Sequence, residues 1–506
     1  MLVQARSDAA LAARTSRAVR VASVPAEAWL VGGLVALGAL LRFATLGAQS
    51  YWFDEAQAAH ELQLSLGSML SSMFVHETNP PLYFVLGWVW VHLFGAGEVA
   101  LRSLSALAGT AAIAFAYLSG RELASRSAGL LAAALTALSP FMIWYSQEAR
   151  EYMLLAAMCG GSLWFFARAW HDASRFNVAG WAIFSALAVL THSFAGFLVA
   201  PEALWLLYGI RTRAIAIAAA GVAAVQLALL PFLFTHATST LLGFISATPL
   251  RSRVQQVPVA FALGNLYESP GVRYGLLGAA ALAAALIALL VIGADARQLR
   301  GAGAAAALAA LVLLVPLGLA LLGADYYIAR ALMPAWIPLA VVIGAACTAP
   351  RVRIAGGLLA AVLLASFVYA QVRIDGSSSY QRPDWRGVAA ALGTGPAAGR
   401  AIVAYDGDLA GGPLAIYLPH VAWSQRASGA ATVAEIDVVG HIWQAVGRPL
   451  PSGVRLISSK VVHDFLIARF AIGPAQRLSR AQVQARAPSL LGPAVASGVV
   501  LVQSPS

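Results

Sequence analysis

Between residues 29 and 372 the chain alternates long apolar runs with short polar loops. Runs of roughly 18 or more apolar residues are each long enough to cross a hydrocarbon core about 30 Å thick. The loops fall into two sets. "GRELASRS" (120–127), "ARAWHDASR" (167–175), "RTR" (211–213), "ADARQLR" (294–300) and "PRVR" (350–353) are basic, as short cytoplasmic loops are. "YSQEAREY" (145–152), "LTHSF" (190–194), the segment 235–273 and "GADYYIAR" (323–330) are complementary to them and alternate with them without conflict. "PPLYFVLGWVWVHLFG" (80–95) breaks the alternation if it spans. Its Pro-Pro start and Trp, Tyr and His content instead predict a juxtamembrane or re-entrant helix on the outer side. About eleven transmembrane helices follow, with the N-terminus cytoplasmic and the C-terminus outside.

After residue 372 the pattern changes to short alternating strands, such as "RAIVAYDG" and "SGVVLVQS", mixed with helical pieces. The expected fold class is an all-α polytopic membrane protein with a C-terminal extracytoplasmic α/β domain. The expected divisions are a cytoplasmic segment (1–27), a transmembrane domain (28–372) with an outer loop at 48–98, and the α/β domain (373–506). The basic N-terminal stretch leads into an apolar run that contains Arg42 and no small-residue cleavage site, so it reads as an uncleaved first span.

Composition agrees. Of 506 residues, 60% are hydrophobic and 11% charged, against about 25% charged in soluble domains. The net charge of +11 is spread over loops and forms no stripe, which argues against a nucleic-acid partner. Cys159 and Cys347 lie inside apolar runs and form neither a disulfide framework nor a metal motif.

On this topology the polar residues gather on one face. The first outer loop carries Asp54, Glu55, His60, Glu61, His76, Glu77 and Asn79. The second carries Gln147, Glu148, Arg150, Glu151 and Tyr152, and the third carries Thr191 and His192. Asp325, Tyr326, Tyr327 and Arg330 come from a later loop, with Arg102 at the outer end of the second span. Ionisable residues near a membrane are costly and tend to mark function. Each also has a plainer role. Acids at 54 and 55 suit a helix N-terminus, Arg150 suits a local clasp with Glu148 or Glu151, and Arg102 and Arg330 suit snorkelling anchors. Adjacent carboxylates on a helix point different ways, so at most one of Asp54 and Glu55 is catalytic. Asp54, Glu55, Glu77 and Glu148 are oxygen ligands suited to a hard cation. No metal-ligand spacing accompanies them, so no cofactor is assigned and a divalent metal stays open.

The succession "WFDEA", "HETNPPLYF", "ALRSLSALAG" and "GRELASRSAGLLAAALTALSPFMIWYSQEAREYMLL" resembles bacterial members of glycosyltransferase family 39. These belong to the GT-C superfold and are related to dolichyl-phosphate-mannose protein mannosyltransferases and to the lipid A aminoarabinose transferase. The resemblance covers roughly residues 28–210 and continues more loosely to 372 through "DYYIARALMPAWIPLA". It implies an enzyme of the bacterial inner membrane that moves one sugar from a polyprenyl-phosphate-linked donor to an outer acceptor hydroxyl, with inversion. The acceptor classes are a lipid, a polysaccharide or a protein. By resemblance Asp54 is the catalytic base and Arg330 a partner of the donor phosphate, while Asn79 stands where some lipid A-modifying relatives have Lys. The expected substrate-binding set is Glu55, His76, Glu77, Asn79, Arg102, Gln147, Glu148, Arg150, Tyr152, His192, Tyr326, Tyr327 and Arg330. The rival reading is a flippase for a lipid-linked sugar, although no internal repeat of the transporter kind is evident. In the α/β domain, Trp385, Asp406, Asp408, Trp443 and His463 are candidate contacts for a polymeric acceptor.

Overall fold

The computed structural model describes residues 26–503 apart from Thr78 and the stretches 231–244, 246–247, 269–272, 397–398, 406–407, 419–420 and 422–429. The helical part begins with α1 (Ala26–Phe43), α2 (Phe53–Glu61), α3 (Leu66–His76), α4 (Leu82–Phe94) and α5 (Glu98–Leu123). It continues with α6 (Arg126–Leu138), α7 (Pro140–Ser146), α8 (Tyr152–His171), α9 (Arg175–Thr191), α10 (Gly196–Gly209) and α11 (Arg213–Ala228). It closes with α12 (Leu250–Leu263), α13 (Gly275–Gly293), α14 (Ala296–Leu321), α15 (Trp336–Cys347) and α16 (Arg353–Asp375). Several helices start where a short polar side chain accepts from an otherwise orphaned N–H. Ser125 caps α6, Ser139 caps α7, Thr212 caps α11 and Asp295 caps α14.

Among the described residues, seven helices are long and apolar enough to cross a membrane, and the pair α6–α7, bent by 57°, makes an eighth. Four shorter apolar helices, α4, α9, α10 and α11, stand beside these. With 13 residues α4 rises about 20 Å, and α9, α10 and α11 also rise less than the roughly 30 Å of a hydrocarbon core. The protein is a multi-pass membrane protein.

Close helix contacts use small residues, as membrane bundles do. A Cβ on Gly120 of α5 would lie 2.7 Å from Gly129 Cα of α6, and one on Gly301 of α14 would lie 1.9 Å from Leu123 O. A Cβ on Gly303 would meet nothing within 4 Å.

Beyond α16 come α17 (Trp385–Leu392), β1 (Arg400–Ala404), α18 (Asp408–Tyr417), β2 (Ala431–His441), β3 (Arg455–Val462), β4 (Phe465–Leu478), α19 (Arg480–Leu491) and β5 (Val499–Gln503). The strands form one sheet in the order β3-β4-β2-β1-β5, parallel only between β1 and β2. Alternation decides the faces. Ile402, Ala404 and Val439 pack under α17 and α18, whereas Ala401, Val403 and Val438 pack under α19. The domain sits on the first polar loop. Ser50 Oγ donates to Pro383 O at 2.9 Å and accepts from Trp385 N at 3.0 Å, and the Tyr51 N–H donates to the Tyr417 hydroxyl at 2.7 Å. Trp385 is therefore a core and docking residue, 1% exposed, not a contact for an acceptor. His463 lies 3.3 Å from Asp384, and Trp443 is 69% exposed. Asp406 and the side chain of Asp408 lie outside the described residues.

Gly301→Val is expected to cost roughly 1–3 kcal/mol through overpacking, read as a lower unfolding temperature in detergent. Gly303→Val, two residues along, stays within about 1 kcal/mol. Equal losses would contradict the close approach of α14 to α5.

Candidate active site

The site begins with the rotation between adjacent helical residues. Asp54 and Glu55 occupy the first turn of α2, and 3.6 residues per turn sets them about 100° apart. Glu55 turns inward and is fully buried. Arg102 Nε donates to Glu55 Oε1 at 2.7 Å and Nη2 to Oε2 at 2.5 Å. The rest of that guanidinium donates to the carbonyls of Leu46, Gln49 and Ser50 at 2.7–3.0 Å. The Ala149 N–H adds a bond to Glu55 Oε1 at 2.9 Å. Burial works to raise the pKa of Glu55, but Arg102, then Arg382 and the Ala149 N–H, bring it below the ordinary value. Both groups were expected at the substrate. The structure corrects this, because every N–H of Arg102 is taken and the pair joins α2, α5 and the 146–151 loop.

Asp54 turns the other way. Its Oδ2 lies 3.7 Å from Arg330 Nη1, with the two side chains 23% and 19% exposed. Arg330 opens a short 3-10 stretch, Ala329–Ala335, and its guanidinium sits over the rings of Tyr152 (5.7 Å) and Trp52 (5.8 Å). Tyr152 is expected and found here, buried between the rings of Tyr145 and His192. Arg330 also lines a cavity of about 210 Å³ together with Phe141, Trp144, Tyr145 and Arg253.

Around this pair stand further acid–arginine couples. Glu77 accepts from Arg150 Nη1 and Nη2, both at 2.9 Å, while Arg150 Nε lies 3.1 Å from Glu151. Asn79 donates to Glu151 at 2.7 Å. Burial pushes Glu77 up to about 7 against the pull of Arg150. His192 is buried and accepts from the Phe194 N–H at 3.1 Å. Burial, helped by Arg150 and Arg330, lowers it to about 3, so it is neutral at physiological pH. Glu148 accepts from Arg382 Nη2 at 2.9 Å, and its Oε1 has no hydrogen-bond partner among the described residues. Burial raises Glu148 to about 7 although Arg382 opposes it.

Other expected residues are engaged elsewhere. Gln147 ties the end of α1, donating to Leu41 O, Arg42 O and Thr45 Oγ1. Of the two clasps weighed for Arg150, the one with Glu151 is present and is joined by Glu77, while Glu148 pairs with Arg382 instead. Tyr327 is buried, and its carbonyl accepts from Arg253 Nη1, which also donates to Asp325 at 2.8 Å. Tyr326 is partly buried against the main core. His76 ends α3, and its side chain lies outside the described residues. Arg253 and Arg382 were not anticipated. Arg253 sits in the segment first read as loop, and Arg382 follows the last span in "RPDWRG", where only its closeness to the membrane boundary was a signal. No group of three or more His, Cys, Asp or Glu side chains among the described residues is placed to hold a metal ion. The four acids weighed as ligands each face a different arginine instead.

The fold and site define a helical multi-pass membrane protein with a cluster of acid–arginine pairs beneath a small α/β domain. Residues 78–236 match the family described as dolichyl-phosphate-mannose-protein mannosyltransferase, within the stretch whose resemblance is legible in the sequence. No curated protein matches the chain. Among solved structures the chain is similar to ArnT from Cupriavidus metallidurans in the apo state, with 18% identity, 73% of this chain and 70% of that one covered, and a TM-score of 0.46. The same protein bound to undecaprenyl phosphate gives 19%, 72%, 68% and 0.43. The S. cerevisiae protein O-mannosyltransferase Pmt1-Pmt2 complex bound to its sugar donor gives 17%, 43%, 34% and 0.34.

Glu55→Ala strands a buried guanidinium and is expected to cost about 3–5 kcal/mol, measured by thermal unfolding in detergent. Asp54→Ala removes a partly solvated, 3.7 Å pair and costs at most about 1 kcal/mol. Similar losses from the two would erase the division between clamp and open pair.

Proposed function

We propose that the protein is a membrane glycosyltransferase that moves a single sugar from a polyprenyl-phosphate-linked donor to an acceptor hydroxyl, with inversion. One observation carries the reading: the solvent-reachable carboxylate of Asp54 stands 3.7 Å from Arg330, and Arg330 lines a cavity. The match of residues 78–236 to a family whose description names dolichyl-phosphate-mannose supports a lipid-linked donor.

The chemistry follows from the two groups. When the bond between the anomeric carbon and the phosphate oxygen breaks, its electron pair stays on the phosphate. A guanidinium matches those oxygens with paired N–H donors, and prepositioned donors of this kind are often the largest catalytic contribution. On the opposite face the acceptor oxygen forms the new bond to the same carbon, and its proton passes to Asp54 as general base. A single displacement inverts the anomeric centre. No step of this reading runs through a metal ion. The acceptor is a glycolipid, an envelope polysaccharide or a protein, and the enzyme resides in the bacterial inner membrane with its N-terminus in the cytoplasm and the site outside.

The test is transfer from a panel of labelled polyprenyl-phosphate sugars into an envelope extract by the purified full-length protein. Asp54→Asn is expected to lose about 10²–10⁴-fold in kcat, the range for one acid/base group. Equal rates for wild type and variant would remove Asp54 from the chemistry. Movement of the carrier across liposomes without transfer would replace the enzyme by a flippase.

Removing the guanidinium in Arg330→Gln is expected to reduce transfer by about 10²–10³-fold, with Arg330→Lys retaining part of the rate. Transfer by Arg330→Gln at the wild-type rate would move the phosphate partner elsewhere.

A further inference from the structure

The short segment between the last span and the sheet enters the site, although sequence and topology assign it to the C-terminal domain. Arg382 is 8% exposed. Its Nη2 donates to Glu148 Oε2 at 2.9 Å, its Nη1 donates to Gln147 O at 3.1 Å, and its guanidinium lies 4.3 Å from the centre of the Trp144 ring. Trp144 is a wall of the cavity that Arg330 lines. The segment is pinned on both sides of this contact, since the Arg382 N–H donates to Gln49 Oε1 at 2.8 Å and Pro383 O accepts from Ser50. Further along, Arg386 holds Glu98 at 2.6 Å and the carbonyls of Gly47 and Ala48, without touching Glu148. One half of Glu148 is thus held from the C-terminal domain, while its other oxygen is buried without a partner among the described residues.

We propose that Arg382 is a positioning residue for sugar transfer, holding the charge and orientation of Glu148 and the Trp144 wall beside the Asp54–Arg330 pair once the C-terminal domain is seated. The proposal rests on the transfer reading given above. Among the described residues no other hydrogen-bond donor reaches Glu148, and a buried carboxylate without a cation takes up a proton. The charged groups that bear on it are Arg382 and Arg330, which favour the anion, and Glu55 and Asp54, which oppose it. Burial holds Glu148 at about 7 even with Arg382 present. Without Arg382, two acids face one remaining arginine, so the anion is lost at higher pH and the acid neighbour of the reacting pair becomes neutral.

The experiment measures transfer of labelled sugar from the best polyprenyl-phosphate donor as a function of pH, using full-length protein with Arg382→Gln, Arg382→Lys and Arg386→Gln. For Arg382→Gln the expected result is a fall of about 10- to 100-fold in kcat and an acid limb moved up by about 1–3 pH units. Arg382→Lys returns the limb toward its wild-type place. Arg386→Gln weakens the seating of the domain but keeps the wild-type limb. An active wild type with an unmoved Arg382→Gln profile overturns this proposal alone. So does an Arg386→Gln profile that shifts equally, because Arg382 is then only a strut. A wild type inactive with every donor overturns the transfer reading and this proposal with it.

Discussion

The buried bond between Arg102 and Glu55 is the constraint on which the site depends. Arg102 lies in α5 and Glu55 in α2, and both are withdrawn from solvent. A buried ion pair is tolerable only if geometry is good and the remaining donors and acceptors are satisfied. Here the guanidinium spends two N–H groups on the carboxylate and the others on three carbonyls of the 46–50 turn. The carboxylate also takes the Ala149 N–H. One charge pair thereby fixes the chain's exit from α1, the start of α2 and the loop that brings Glu148 and Arg150 into place. Removing it would release three separately folded pieces of backbone at once.

The remaining acid–arginine couples differ from this clamp in degree of burial, and the difference sorts their roles. Glu77 with Arg150 and Glu148 with Arg382 are nearly dry, with two-point or multiply bonded geometry. Such groups give up their freedom to rigid partners and suit the holding of loops. Asp54 and Arg330 are each about one-fifth exposed and separated by 3.7 Å. That distance lies beyond the usual range of charge-assisted hydrogen bonds, about 2.7–2.9 Å. A phosphate oxygen or a hydroxyl gains more from entering this pair than from competing with any of the others.

The fold was legible because its signal is repeated many times. Long apolar runs, basic loops and an abrupt change near residue 372 each point to the same arrangement. The site was legible only as a list of residues. Pattern alone does not say which member of a neighbouring acidic pair turns inward, and Glu55, Arg102 and Gln147 were read as facing substrate although they face the protein. Arg253 and Arg382 escaped because long-range pairing has no local periodicity. The partner of Arg382 lies 234 residues earlier in the chain, and nothing in "RPDWRG" encodes that distance.

The same geometry explains why the two acids are adjacent. On a helix, side chains one residue apart diverge by about 100°, so a two-residue motif can serve an inner and an outer partner from a single turn. The inner acid fixes the position of the helix through Arg102, and the outer acid inherits that position. Asp54 lies in the same first turn as Glu55 and cannot shift far while Glu55 keeps its three hydrogen bonds to Arg102 and Ala149. A group that must meet an incoming proton within hydrogen-bond reach gains from such a foundation, because the cost of ordering it has been met in folding. The converse arrangement, a lone acid on a loop, would need substrate binding to supply that ordering. The pairing of a fully buried Glu55 with a partly open Asp54 is therefore the feature that joins the stability of this membrane protein to the chemistry proposed for Asp54.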